Sequence, residues 1–187
     1  IAKVVQRVSA ALAAPYQELS TAVQDEARLN VDETGWKENG ARLWVWVFCS
    51  ATIALFAIRA SRGAKVLKEI LGETFGGAIT SDFYSAYVSY KTVQQQFCLA
   101  HLIRDVKFLT TLPQAEVREF GEKVLEYFRA LFELWHRRSE YPPGEFEKKA
   151  DKLQRALYTY LTTVSFPKGK AAALKKRLIK HWNALFR

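Results

Sequence analysis

Methionine is missing from all 187 residues, and cysteine occurs only twice. Without an initiating residue, and with Arg187 falling inside a helical pattern, the chain is expected to be a piece of a longer protein. Cys49 and Cys98 both stand in apolar stretches. Two such residues argue against a disulfide scaffold and fit reduced, buried thiols of a cytoplasmic protein. The first residues lack a basic segment, an apolar run and a small-residue cleavage site in series, so no signal peptide is visible. A long unbroken hydrophobic run is also missing. The nearest approach, Leu43 to Ala60, carries Ser50, Thr52 and Arg59, which speaks against a membrane span and for two strands. Acid is in short supply: 19 Asp and Glu face 28 Lys and Arg, a net charge of +9. That balance suits a polyanion partner, most often nucleic acid, against the plainer alternative of a basic protein with no such partner.

What is present suffices for a folded core. Apolar residues make up 49% and charged residues 25%, which excludes disorder as the main state. The length fits one domain, or one domain with an inserted lobe. Internal repeats and low-complexity segments are absent.

Ile1, Val4, Val5, Val8 and Leu12 recur at helical spacing. Pro15 ends that segment or opens a second helix over 15–26. Leu29 and Val31 then alternate with Asn30 in a short strand expected to end at Asp32, with Thr34 and Gly35 turning the chain. Residues 41–60 are rich in aromatic and β-branched types, as strands are. They predict an antiparallel hairpin turning at Ser50-Ala51-Thr52, with Trp44, Trp46 and Phe48 on one face. Ser61 is placed to cap a helix over 63–71. Gly76-Gly77 breaks the pattern before a strand over 78–82, a short helix at 84–90, a fifth strand at 95–99 and a helix at 100–111. Beyond these, Val117, Phe120, Val124, Phe128, Leu131 and Trp135 form one apolar stripe. Phe146, Ala150, Leu153, Leu157, Leu161 and Val164 form another. Tyr141-Pro142-Pro143-Gly144 separates the two as an antiparallel pair, and a last helix starts near 170.

Three strands followed by alternating helix and strand is the element order of the ribonuclease-H-like (retroviral-integrase-like) α/β fold: a mixed five-stranded sheet flanked by helices. The expected division is a helical segment over 1–27, a core over 28–112, and a helical hairpin insertion with a C-terminal helix over 113–187.

Asp32 and Asp82 each end a predicted strand, and in that order the two strands are neighbours. Paired carboxylates repel unless a cation lies between them. Mg²⁺ prefers hard oxygen ligands and accepts one or two carboxylates plus substrate phosphates. The plain alternatives are a polar turn at 32–35 and a helix cap at Asp82.

Five motifs occur in order: Asp32-Glu33-Thr34-Gly35-Trp36, Trp44-Val45-Trp46-Val47-Phe48, Ser61-Arg62-Gly63-Ala64, Ser81-Asp82-Phe83-Tyr84-Ser85-Ala86-Tyr87, and Cys98-Leu99-Ala100-His101-Leu102-Ile103-Arg104-Asp105. From about residue 15 onward this series resembles the catalytic domain of bacterial DDE transposases of insertion-sequence family sixty-six. The resemblance implies Mg²⁺ or Mn²⁺ as cofactor, DNA (element ends and target) as partner, and cleavage and joining of DNA strands. It implies that Asp32 and Asp82 are the first two acids of the catalytic triad and its metal ligands. It also implies action in the bacterial cytoplasm at the nucleoid, commonly as a dimer or larger assembly on DNA, with no membrane partner. The family's third acid lies in an Asn-Asn-x-x-Glu-Arg type of motif, which does not occur here, so the fragment alone is expected to be inactive. Glu116, Glu119, Glu122 and Glu126 read as a solvated helix surface.

Glu33 stands next to the first acid, and Arg62 flanks the hairpin near a DNA path. Cys98-x-x-His101 lacks the second pair that structural zinc needs. The spacing is similar to a motif near the acids of several DDE groups, which puts His101 at the active site or scissile phosphate; a structural histidine is the alternative. Arg104 shares its helical face and suits phosphate or a salt bridge. Lys168, Lys170, Lys175, Lys176, Arg177, Lys180 and Arg187 cluster late, suited either to a DNA backbone or to a solvated face. Two rival functions remain: a ribonuclease-H-like structure-specific nuclease, and a non-catalytic DNA-binding transposase remnant.

Overall fold

The computed structural model describes residues 1–186; Arg187, counted above among the late basic residues, lies outside them. The chain divides into two compact units, Ile1–Cys98 and Leu99–Arg187.

The first unit is a mixed sheet with helices. Its strands are β1 (Arg28–Glu38), β2 (Ala41–Cys49), β3 (Ala54–Arg59), β4 (Thr74–Ser81) and β5 (Lys91–Phe97); its helices are α1 (Ala2–Ala22), α2 (Lys65–Leu71) and α3 (Ser85–Ser89). The strands lie in the order β3-β2-β1-β4-β5. The first three are antiparallel neighbours, whereas β4 runs parallel to β1, and β5 parallel to β4.

Strand β1 corrects the expected stop at Asp32. It continues to Glu38, and Thr34 and Gly35 pair with Val45 and Trp44 instead of turning. The turn comes at Asn39-Gly40, where both residues have positive φ, 47° and 82°. That backbone matches the twist of a two-residue hairpin. The long aromatic β2 offers a ladder for the whole of β1. The second hairpin turns where predicted. Ser50 Oγ accepts hydrogen bonds from the amides of Thr52 and Ile53 at 3.1 and 3.0 Å.

Two helices were expected before β1, but α1 is continuous, with Pro15 inside it. The ring costs one backbone bond to the preceding turn, and the helix bridges it. None of its residues is buried; the Tyr16 hydroxyl donates to the Phe56 carbonyl on β3 at 3.1 Å. Helix α2 starts at Lys65, and Ser61 Oγ accepts from the Gly63 amide at 3.0 Å rather than capping the helix. Gly76 and Gly77 do not break β4: they lie within it, at a shift in its register against β5. Strand β5 begins at Lys91, earlier than expected.

The core of this unit follows from the alternation. Leu29 and Val31 of β1, Trp46 and Phe48 of β2, and Leu55 and Ala57 of β3 are buried together with Val66, Leu67, Ile70 and Leu71 of α2. The predicted face of Trp44, Trp46 and Phe48 is the inward one, with Trp44 packed at its edge.

The second unit is helical: α4 (Leu99–Leu109), α5 (Ala115–His136), α6 (Glu145–Thr163) and α7 (Lys170–Lys180). Phe120, Val124 and Phe128 bury the α5 stripe as its periodicity predicts. At its end Leu134 is buried in place of Trp135, which is 51% exposed and packs edge-on against Phe146 at 5.9 Å. Leu157 and Leu161 of α6 and Leu174 and Leu178 of α7 complete this core. Among the described residues, no helix is long and apolar enough to cross a membrane.

Candidate functional site

The parallel pairing of β1 with β4 decides where the two aspartates stand. Arg28, Leu29 and Asn30 pair with Ala78, Ile79 and Thr80, so each β4 residue lies 50 positions after its partner. Asp32 and Asp82 have the same separation, two positions further along. In β1, Leu29 and Val31 are buried and Asp32 is exposed; in β4, Ile79 and Ser81 are buried and the following Asp82 is half-buried. Successive side chains leave a strand on opposite faces. Both aspartates therefore follow the face turned away from Leu29, Val31 and Ile79.

Backbone amides orient both carboxylates. Asp32 Oδ1 accepts from the Glu33 amide at 2.9 Å, and Asp82 Oδ1 accepts from the Tyr84 amide at 2.8 Å. The second bond realises the local role open to Asp82, though it makes a turn: α3 has no side-chain cap. Among the described residues, no group of three or more His, Cys, Asp or Glu gathers as a metal site. The donor set is two carboxylates, which suits a hard cation that keeps water or phosphate in its remaining positions.

Glu33 behaves differently from its neighbour. It follows the inward face of β1, opposite Trp46 of β2, and its side chain is 1% exposed. Arg62 Nε donates to Glu33 Oε1 at 2.6 Å, and the Tyr87 hydroxyl donates to Glu33 Oε2. Burial pushes the Glu33 carboxyl above its ordinary pKa, against the Tyr87 and Arg62 hydrogen bonds that favour its charge. Burial likewise raises the Tyr87 phenol, followed by the bond to Glu33 and the negative charges of Glu33, Asp32 and Asp82. The phenol accordingly stays protonated and donating.

Arg62 is held as firmly as the acid it meets. Its guanidinium lies over the Tyr84 ring at 4.0 Å and over the Trp44 ring at 4.7 Å, within cation–π range. Tyr87 packs edge-on against Trp46 at 5.9 Å and against Tyr84 at 6.3 Å, and the Trp46 indole donates to the Ser61 carbonyl at 3.0 Å. Four of the five motifs thus meet within the first unit. Tyr87 and the Trp44–Tyr84 sandwich carried no assigned role in the sequence. The available signal was a tyrosine five positions after Asp82, on the short helix that the aspartate precedes.

The other candidates belong to the second unit. His101 is half-buried and Arg104 exposed on α4. Lys175 Nζ donates to the Val164 carbonyl at 2.5 Å, while Lys176 is exposed. Arg177 pairs with Asp105.

Comparison with protein-family models finds one described as the transposase IS66 family, matching residues 1–187. Neither the curated proteins nor the solved structures include a match.

Proposed function

Because the chain belongs to the transposase IS66 family, whose function is transposition, we propose that Asp32 and Asp82 are two catalytic acids for cutting and joining DNA strands. The observation that carries this reading is the common separation of 50 between paired residues of β1 and β4 and between the two aspartates. The strand order β3-β2-β1-β4-β5 supports a ribonuclease-H-like core, with Asp32 within β1 and Asp82 directly after β4, its parallel neighbour.

The two carboxylates would hold Mg²⁺ or Mn²⁺. When bound, such a cation supplies activation of an attacking oxygen and neutralises charge on the leaving oxygen of a phosphodiester. The chain's own part is to aim both carboxylates from one face and to orient them through the Glu33 and Tyr84 amides. DNA is the partner that the family implies, and the net charge of +9 favours its approach. The Asn-Asn-x-x-Glu-Arg type of motif does not occur in residues 1–187, so the reading assigns two acids of the three.

Transposition measured from the native gene tests the assignment. Asp32→Ala or Asp82→Ala is expected to abolish strand cleavage and joining while DNA binding persists in a mobility-shift assay. Retained strand transfer in either variant overturns it. Cleavage of an RNA–DNA hybrid without joining would favour a nuclease instead.

A further inference from the structure

A buried acid beside an exposed catalytic candidate calls for a physical reason. Withdrawing the Glu33 carboxylate from water is costly unless partners replace its hydration. Its two donors, Arg62 and Tyr87, offset that cost without turning it into a clear gain, since apolar side chains of similar volume would hold the sheet at least as well. What the polar group adds is direction. Glu33 directly follows Asp32 in β1. Tyr87 sits on α3, reached from Asp82 through Tyr84, whose amide holds the Asp82 carboxylate and whose ring covers Arg62. A closed circuit therefore joins the backbone beside one aspartate to the backbone beside the other.

We propose that Glu33, Arg62 and Tyr87 form a positioning lock that fixes the spacing of Asp32 and Asp82, and through it the affinity of the pair for a divalent cation. This rests on the reading of the aspartates as cation ligands. None of the three lock residues touches the cation. They act as outer partners, whose loss commonly weakens metal binding 10–100-fold. Tyr87→Phe keeps the ring against Trp46 and Tyr84 and removes only the bond to Glu33. Glu33→Gln keeps the shape and loses the charge that meets Arg62.

The test is a titration of the ¹⁵N-labelled chain with MnCl₂, following paramagnetic broadening of amides around residues 32 and 82. That readout works for weak binding and needs no turnover. Tyr87→Phe and Glu33→Gln are each expected to weaken manganese binding by about tenfold or more, and Asp82→Ala to remove the selective broadening. Leu67→Ala, a core change in α2 outside the polar circuit, is expected to lower the unfolding temperature and leave the affinity unchanged. Lock variants that keep wild-type affinity while Asp82→Ala loses it overturn the lock and leave the cation reading standing. Absence of selective broadening in the wild type, or its persistence in Asp82→Ala, overturns both. Should Tyr87→Phe fail to fold, Arg62→Lys, which keeps the charge and loses the planar fit between two rings, decides the matter by the same affinity.

Discussion

Gly77 has no room for a methyl group. A Cβ there would lie 2.5 Å from the Glu26 carbonyl oxygen and 2.6 Å from that of Ala27, and both are backbone atoms that cannot swing away. The close approach has a use: the Ala27 carbonyl accepts the Ala78 amide at 2.9 Å, at the start of the parallel pairing that aligns β4 with β1. Gly77→Ala is expected to cost about 3 kcal/mol, read from urea unfolding. Gly76→Ala has nothing within 4 Å of its added Cβ and should change stability by less than about 1 kcal/mol. Single residues were also the most and the least legible level of the sequence. Asp32 and Asp82 stand out because an acid that interrupts or closes an apolar alternation is conspicuous. Tyr87 does not, because an aromatic residue in an apolar stretch looks like core until its hydroxyl is seen to face a buried carboxylate.

Elements were legible in kind and less so in extent. The apolar alternation of β1 breaks at Asp32 and Glu33, so the local signal stops short of the strand's end at Glu38. The ladder to β2 overrides that local signal, and the true turn, Asn39-Gly40, was available in the sequence. Pro15 locally favours two helices, and the turns on either side of it carry α1 through as one. The α5 stripe shifts by one residue at its end, where Leu134 replaces the expected Trp135 inside. Just after α7, burial and then the positive charges of Lys180 and Arg177 lower the pKa of His181 from the ordinary 6.5. The unfolded chain then binds that proton more readily than the folded one. Stability from this group is present above the unfolded value and is lost as pH falls through the folded one. Thermal unfolding should therefore occur at lower temperature at about pH 5.5 than at about pH 7.5. His181→Gln should shrink that difference.

At the scale of the whole molecule, charge is the legible property and its use is the testable one. If the helical unit contributes to DNA binding, its exposed lysines carry that contribution. Lys176 and Lys180 are exposed on α7, whereas Lys175 is tied to a carbonyl of Val164. Replacing Lys176 and Lys180 together by alanine should lower the slope of log affinity against log salt by about 2 for duplex DNA. Lys175→Ala should alter the slope less and the melting of the helical unit more. Fluorescence anisotropy across a salt series separates the two effects.

The pairing of β1 with β4 has one last consequence, a matter of odd and even. Because facing alternates residue by residue, the shared arrangement of the two aspartates survives only changes of length that preserve parity. Removing one residue between Ala78 and Asp82 would send the second carboxylate inward and bring a core side chain out, whereas removing two would restore the facing at the expense of reach. Variation in chain length is thus expected to collect in the turns at Asn39-Gly40 and Ser50-Thr52, where an added residue leaves the count along β1 and β4 untouched.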